Sequence, residues 1–416
     1  MQKTSLDAVK QEDPELFSLI EKEKQRQNKV LELIPSENMV SRAVMQAVGS
    51  VLTNKYSEGY PGKRYYGGNE VIDEIENLAI NRAKELFQAE HVNVQPNSGS
   101  PANLAVYFAL LQHGDKFMGM ALDQGGHLTH GHKVNFSGIF YNPVHYGVDK
   151  ETELLDYDVI RKMALQEKPK LILSGFTAYP RKIDFKAFKE ICDEVEAVSM
   201  ADVSHIAGLI AGGMHENPTP FFDVVTTTTH KTLRGPRGAI IMCKKDLAQK
   251  IDKAVMPGLQ GGPHEHVIAG KALAFKQAMT PDFKAYAKQV VLNAKALADE
   301  LLSQGFRLVS GGTDTHLILI DLNGTDLTGK KAERILDSVG INVNANSIPF
   351  DSRKPWDPSG IRVGTPVLTT RGMKESEMKE IAQLIARVVK NPDNTEIKNK
   401  VTEDVLALCK NFSFYC

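Results

Sequence analysis

The sequence predicts an α/β protein: a large domain built on a doubly wound, mostly parallel sheet, then a smaller α+β domain. Three observations predict it. Short apolar runs rich in β-branched residues, 171–175, 200–203 and 224–225, each lead into polar residues, as buried strands do. Helical stretches separate them, with Phe185, Phe188, Ile191 and Val195 recurring at three and four residues, and such alternation builds a parallel sheet. Finally, 416 residues exceed one ordinary core. Residues 1–30 then form an arm, 31–280 the large domain and 281–416 the small one. The break falls at Thr280-Pro281, between helical stretches 266–278 and 283–302.

In chain order, residues 5–29 are charged and helix-forming, with one apolar cluster at Leu16, Phe17, Leu19 and Ile20; they read as an exposed arm. Residues 56–68 pack four tyrosines, four glycines, a proline and Glu58 together. Tyrosines among glycines make a rigid aromatic surface, more often an interface than a core. Ile72, Ile75, Ala79, Ala83 and Leu86 then mark an amphipathic helix. At residues 98–101 the run Ser-Gly-Ser-Pro precedes another apolar helix. Ser100 suits the N-cap and Pro101 the first helical position. Free amides at a helix start hold anions, so Gly99 and Ser100 are read as a phosphate cradle. His127, His130 and His132 invite a metal reading, but neither cysteine nor a suitably spaced acid completes a zinc ligand set. No metal is expected.

Further on, 171–181 is a strand ending in hydroxyls, Thr177 among them, and 256–263 is a glycine-rich loop. Residues 315–322 read as a strand and 332–339 as a helix of the smaller domain. A polar loop, 344–356, carries the only tryptophan, and Arg362 stands between glycines. Its planar guanidinium is suited to a bidentate grip on a carboxylate. The last residues, 391–416, are helical and charged, with no chemistry assigned.

Composition narrows the class of partner. A net charge of −1 argues against nucleic acid or a membrane surface. No run of about eighteen apolar residues and no apolar leader core is present, so neither a span nor a signal is expected. Cys192, Cys243, Cys409 and Cys416 lack CxxC spacing and suit a reducing cytoplasm.

The chemistry concentrates at strand ends, where ligands of open α/β sheets sit. Asp202 and Lys231 both fall there, with Thr226, Thr227, Thr228 and Thr229 ahead of the lysine and a Gly-Pro-Arg-Gly turn after it. A lysine that forms a Schiff base needs a desolvated site that lowers its pKa. A pyridoxal phosphate site also needs a carboxylate to keep the pyridine nitrogen protonated. Asp202 can supply it, and His205 is close enough to enter the same site.

Residues 224–238, together with Asp202-Val-Ser-His205, resemble the pyridoxal-lysine segment of the serine hydroxymethyltransferases, and the likeness runs from about residue 10 to about residue 390. The resemblance implies a fold-type I pyridoxal phosphate-dependent transferase, like aspartate aminotransferase. Its expected reaction is interconversion of L-serine and glycine, with tetrahydrofolate taking the one-carbon unit. A folate-independent threonine or β-hydroxy amino acid aldolase is the alternative within that fold.

By the same resemblance Lys231 bears pyridoxal 5′-phosphate, with Asp202, His230 and Glu58 catalytic and Glu58 the proton-handling carboxylate. Ser98, Gly99, Ser100, Thr177, Ser204, His205 and Tyr56 surround the cofactor, and His127 stacks on its ring. Ser36, Tyr66 and Arg362 meet the amino acid. Leu122, Leu128, Asn346, Lys354, Pro355 and Trp356 face the folate. Gly262 donates its amide to a neighbouring copy's phosphate, which implies a homodimer at least, or a tetramer. Two positions depart from the family pattern: Gln124, often histidine, and Phe350, often asparagine.

Overall fold

The computed structural model describes residues 6–415; residues 1–5 of the arm and Cys416 lie outside the described residues. The large sheet has seven strands: β1 (His91–Asn93), β2 (Lys116–Met120), β3 (Asn142–Tyr146), β4 (Leu171–Ser174), β5 (Val198–Asp202), β6 (Val224–Thr228) and β7 (Ala239–Cys243). Their spatial order is β1-β7-β6-β5-β4-β2-β3. Strands β3, β2, β4, β5 and β6 run parallel; β7 pairs antiparallel with β6 and with β1. Strands β4, β6 and β7 are buried throughout, which is why they read as continuous apolar runs rather than alternating ones.

A second, four-stranded antiparallel sheet holds Arg307–Leu308, Leu317–Asp321, Gly360–Gly364 and Asn344–Asn346, in that order. Each sheet has its own apolar core. The helix Pro281–Ser303 belongs to both: Phe283, Tyr286 and Val290 pack in the first, Leu297 and Leu301 in the second. Thr280 caps it, accepting the Phe283 N–H at 3.3 Å. Leu31 and Leu33 also join the second core, because residues 31–32 pair in parallel with Ile341–Asn342.

Two local features differ from the sequence reading. The helix expected to be capped by Ser100 begins earlier, as Gly99–Leu110 with Ser98 at the N-cap. Pro101 therefore sits two positions deeper, still within the first turn, where no intrahelical N–H is needed. The glycine-rich stretch at 256–263 is entered through a kink rather than a plain loop, with Met256 in extended backbone (φ −137°, ψ 122°). The arm folds as Asp7–Glu12 and Pro14–Lys29 with no buried residue in either helix.

The tyrosine-rich segment is held rigid from below. Arg64 donates to Glu76 at 2.7 Å and Asp73 at 2.9 Å, on the helix Glu70–Phe87. The Arg64 and Glu76 side chains are buried, so removing Arg64 would leave the Glu76 carboxylate without its cation, at a cost of about 3–5 kcal/mol. Lys271 likewise donates to the carbonyls of Val94, Pro96 and Ala239 at 2.6–3.0 Å, tying the segment before Ser98 to the strand after Lys231.

Candidate active site

The carboxyl ends of β4, β5 and β6 open on one cavity of about 440 Å³. Ser36, Ser98, Gly99, Ser100, His127, Thr177, Asp202, Ser204, His205, His230, Lys231 and Arg362 line it, and so do Thr228 and Arg237. Asp202 is the last residue of β5. After β4 the chain turns at Gly175 (φ 107°), where a Cβ would lie 2.0 Å from the Asp202 carbonyl oxygen; only glycine lets the two strand ends close together here.

Asp202 is oriented on both oxygens. Oδ1 accepts from Ser204 Oγ at 2.6 Å and Ser204 N at 3.1 Å, and Oδ2 accepts from Asn103 Nδ2 at 2.8 Å. Asn103 is in turn set by Thr226, whose Oγ1 donates to its Oδ1 at 2.7 Å. His130 Nδ1 accepts the His127 N–H at 3.2 Å, so its ring hydrogen sits on Nε2, 3.5 Å from Asp202 Oδ2. Burial would raise the Asp202 pKa, but His130, Ser204 and Asn103 outweigh it and hold the carboxylate ionised, well below its usual range.

Lys231 lies two residues beyond Thr229, which follows the end of β6. Burial, opposed by Asp202 and aided by Arg362 and Arg237, brings its amine down to about 8, which makes it a usable nucleophile near neutrality. Burial also lowers Arg362 to about 10, still cationic. Its Nη1 donates to the Thr177 carbonyl at 2.6 Å and its Nε to Asn344 Oδ1 at 3.2 Å. Among the described residues no carboxylate pairs with it. His127 is lowered to about 4 and His230 to about 3, by burial and then by neighbouring positive groups, so both rings are neutral.

These residues fit an anionic, aldehyde-bearing cofactor. Thr228 Oγ1, His205 Nε2 and His230 Nδ1 are buried without a protein partner, and buried polar atoms at a cavity call for a ligand to satisfy them. A Cβ on Gly99 would come within 2.8 Å of Thr228 Cγ2, so the glycine keeps the helix start close to that hydroxyl.

Residues 9–385 match the family described as serine hydroxymethyltransferase. The chain belongs to the serine hydroxymethyltransferase family. It is therefore a fold-type I pyridoxal phosphate-dependent transferase of one-carbon groups. It interconverts serine and glycine with tetrahydrofolate as co-substrate, and the aldolase alternative is not favoured. No described helix is long and apolar enough to cross a membrane.

The remaining hydroxymethyltransferase candidates do not line the cavity. Tyr56, Glu58, Tyr66 and Gly262 gather instead in a separate, exposed cluster. Tyr56 Oη donates to Glu58 Oε1 at 3.1 Å, the Tyr56 and Tyr66 rings meet edge-on at 5.1 Å, and a Cβ on Gly262 would touch the Tyr56 ring at 3.5 Å. Of the folate candidates, Leu122 and Leu128 lie on short 3₁₀ turns beside His127. Asn346 shares a strand with Asn344, opposite Gly360. Trp356 is 72% exposed, with Lys354 Nζ 5.1 Å over its ring and Pro355 between them.

Of the two departures from the family pattern, Gln124 is structural: its Oε1 accepts the Val148 N–H at 2.9 Å. Phe350 occupies the left-handed region at φ 58°, a conformation asparagine tolerates far better.

Sequence reading missed Asn103, His130, Asn344 and His316, which organise the site without bearing its chemistry. A signal existed for Asn103: it is a polar residue inside the apolar run Ala-Asn-Leu-Ala-Val, and buried polar groups need partners.

Proposed function

We propose that Lys231 holds pyridoxal phosphate in this cavity and that the Tyr56–Tyr66 cluster of one copy completes the cavity of another in a homodimer. The observation that carries the reading is a buried lysine of lowered pKa beside an ionised Asp202 and an Arg362 lacking any carboxylate. When bound, pyridoxal phosphate supplies an electron sink for the pair left at the amino acid's Cα. Asp202 would hold a proton on the ring nitrogen. Gly99 and Ser100, with Ser98 and Thr228, would cradle the phosphate, joined by Gly262 from the other copy.

The neutral His127 would offer a flat face to the ring. Arg362 would grip the substrate carboxylate through its outer nitrogens, with Ser36 and His205 alongside. Ser204 keeps Asp202 in place, Thr177 holds Arg362 through its carbonyl, and His230 adjoins the reacting amine. Glu58, with Tyr56 and Tyr66, would move the proton at the hydroxymethyl oxygen or folate nitrogen. Leu122, Leu128, Asn346, Lys354, Pro355 and Trp356 would receive the folate, a role supported by the exposed apolar surface of Leu128 and Trp356.

A three-part division (arm 1–30, large domain 31–280, small domain 281–416) and a cytoplasmic location belong to the same reading. Borohydride reduction of the cofactor-loaded chain followed by peptide mapping tests it. Label is expected on Lys231, and label on any other lysine would sink the assignment.

A further inference from the structure

His205 and His316 form a buried pair where the two sheets meet. Their rings stack at 5.4 Å and 27°, and His205 Nδ1 lies 3.2 Å from His316 Nε2. They are 3% and 0% exposed. His205 follows β5 and lines the cavity; His316 precedes the strand Leu317–Asp321 of the smaller sheet. The outer nitrogens, His205 Nε2 and His316 Nδ1, have no partner.

Burial, aided by the nearby Lys231 and Arg362, keeps both rings neutral; joined by one hydrogen bond they share a single bridging proton, so two arrangements compete. If His205 Nδ1–H donates, His316 must carry its own hydrogen on Nδ1, sealed in the interior with nothing to accept it. If His316 Nε2–H donates, the unpaired hydrogen is instead on His205 Nε2, at the cavity. A buried N–H without an acceptor is costlier than a bare ring nitrogen, and only the second arrangement puts that hydrogen where a ligand can accept it.

We propose that His316 is a positioning residue that sets the tautomer of His205, presenting His205 Nε2–H to an anionic oxygen of the bound ligand. This rests on the reading of the cavity as the cofactor and substrate site. His316 acts from the other sheet, so the pair also makes the ligand-facing hydrogen depend on how the two sheets are joined.

Cofactor-free chain carrying ¹⁵N-histidine, observed in long-range ¹H–¹⁵N correlation spectra at pH 7.5, tests the tautomer without any substitution at the pair. His205, assigned by the signal lost in His205→Asn, is expected to show protonated Nε2 and bare Nδ1; protonated Nδ1 overturns the proposal. In the loaded enzyme, His316→Leu is expected to lower kcat/KM for serine about tenfold, the weight of one hydrogen bond. His316→Gln, whose amide can donate from a similar place, should recover to within about threefold of the parent. Equal kinetics in His316→Leu and the parent also overturns it. A parent chain without serine–glycine exchange would sink the reading of the cavity alone, since the tautomer is measured independently of turnover.

Discussion

The Asp202–Lys231 cavity and the Tyr56–Tyr66 cluster, the two halves of the proposed site, are built in opposite ways. In the cavity Asp202 is oriented from within its own chain, with Thr226 setting Asn103 and Asn103 setting Asp202. The cluster is half-exposed, with Tyr56 at 55% and Tyr66 at 49%, and is anchored from beneath through Arg64, Lys55 and Asn69. Charge that must stay fixed, such as an ionised carboxylate at low dielectric, needs several donors and no water. Groups that meet a ligand held by another copy must instead be exposed in the single chain.

The largest expected effect tests that division directly. Lys231→Ala and Glu58→Gln should each lose activity by about a thousandfold or more, as removal of a nucleophile or proton carrier does. If the two regions act across copies, mixing the inactive variants after dissociation should restore about a quarter of the parental rate. Random pairing makes half the dimers mixed, each with one intact site of two. No recovery would place both regions in one chain's service and break the comparison.

Arg362→Ala comes next. One charge-assisted bidentate contact is worth about 1.5–3 kcal/mol, so the KM for serine should rise about 10- to 100-fold, with cofactor affinity changed far less. An unchanged KM would remove Arg362 from the substrate.

A smaller effect follows from burial of Lys231. Its pKa is lowered from 10.5 to about 8: below that value the amine is mostly protonated and unreactive, above it mostly neutral. Capture of pyridoxal phosphate by the cofactor-free chain should therefore speed up with pH, reach half its plateau near pH 8 and level off about one unit higher. A rate still climbing steeply at pH 9.5 would show a lysine no different from one on the surface.

The smallest effect lies outside both regions. Phe350→Asn should raise stability by up to about 1 kcal/mol by relieving a left-handed backbone, seen as a higher urea midpoint. A lower midpoint would show that packing of the ring outweighs the strain.

The chemistry-bearing residues were legible from residue type and position. Asp202, Lys231, Ser98 and Arg362 stand at strand or helix ends, where turn residues and polar side chains follow apolar runs. The same signals located β4, β5 and β6 to within a few residues. The helix start was misplaced by two residues: Ser98 rather than Ser100 takes the N-cap position, and its side chain makes no capping bond that a local pattern could announce.

Order along the chain thus placed a lysine and an acid at strand ends and determined an alternating fold, since periodicity and strand-end composition are local properties. Which side chains orient that acid, and that the tyrosines stand apart from the lysine, depended on contacts between residues about a hundred or more positions apart, such as Asn103 with Asp202 or His205 with His316. No local pattern encodes such pairings; they arise only when two sheets and their helices close on a common core.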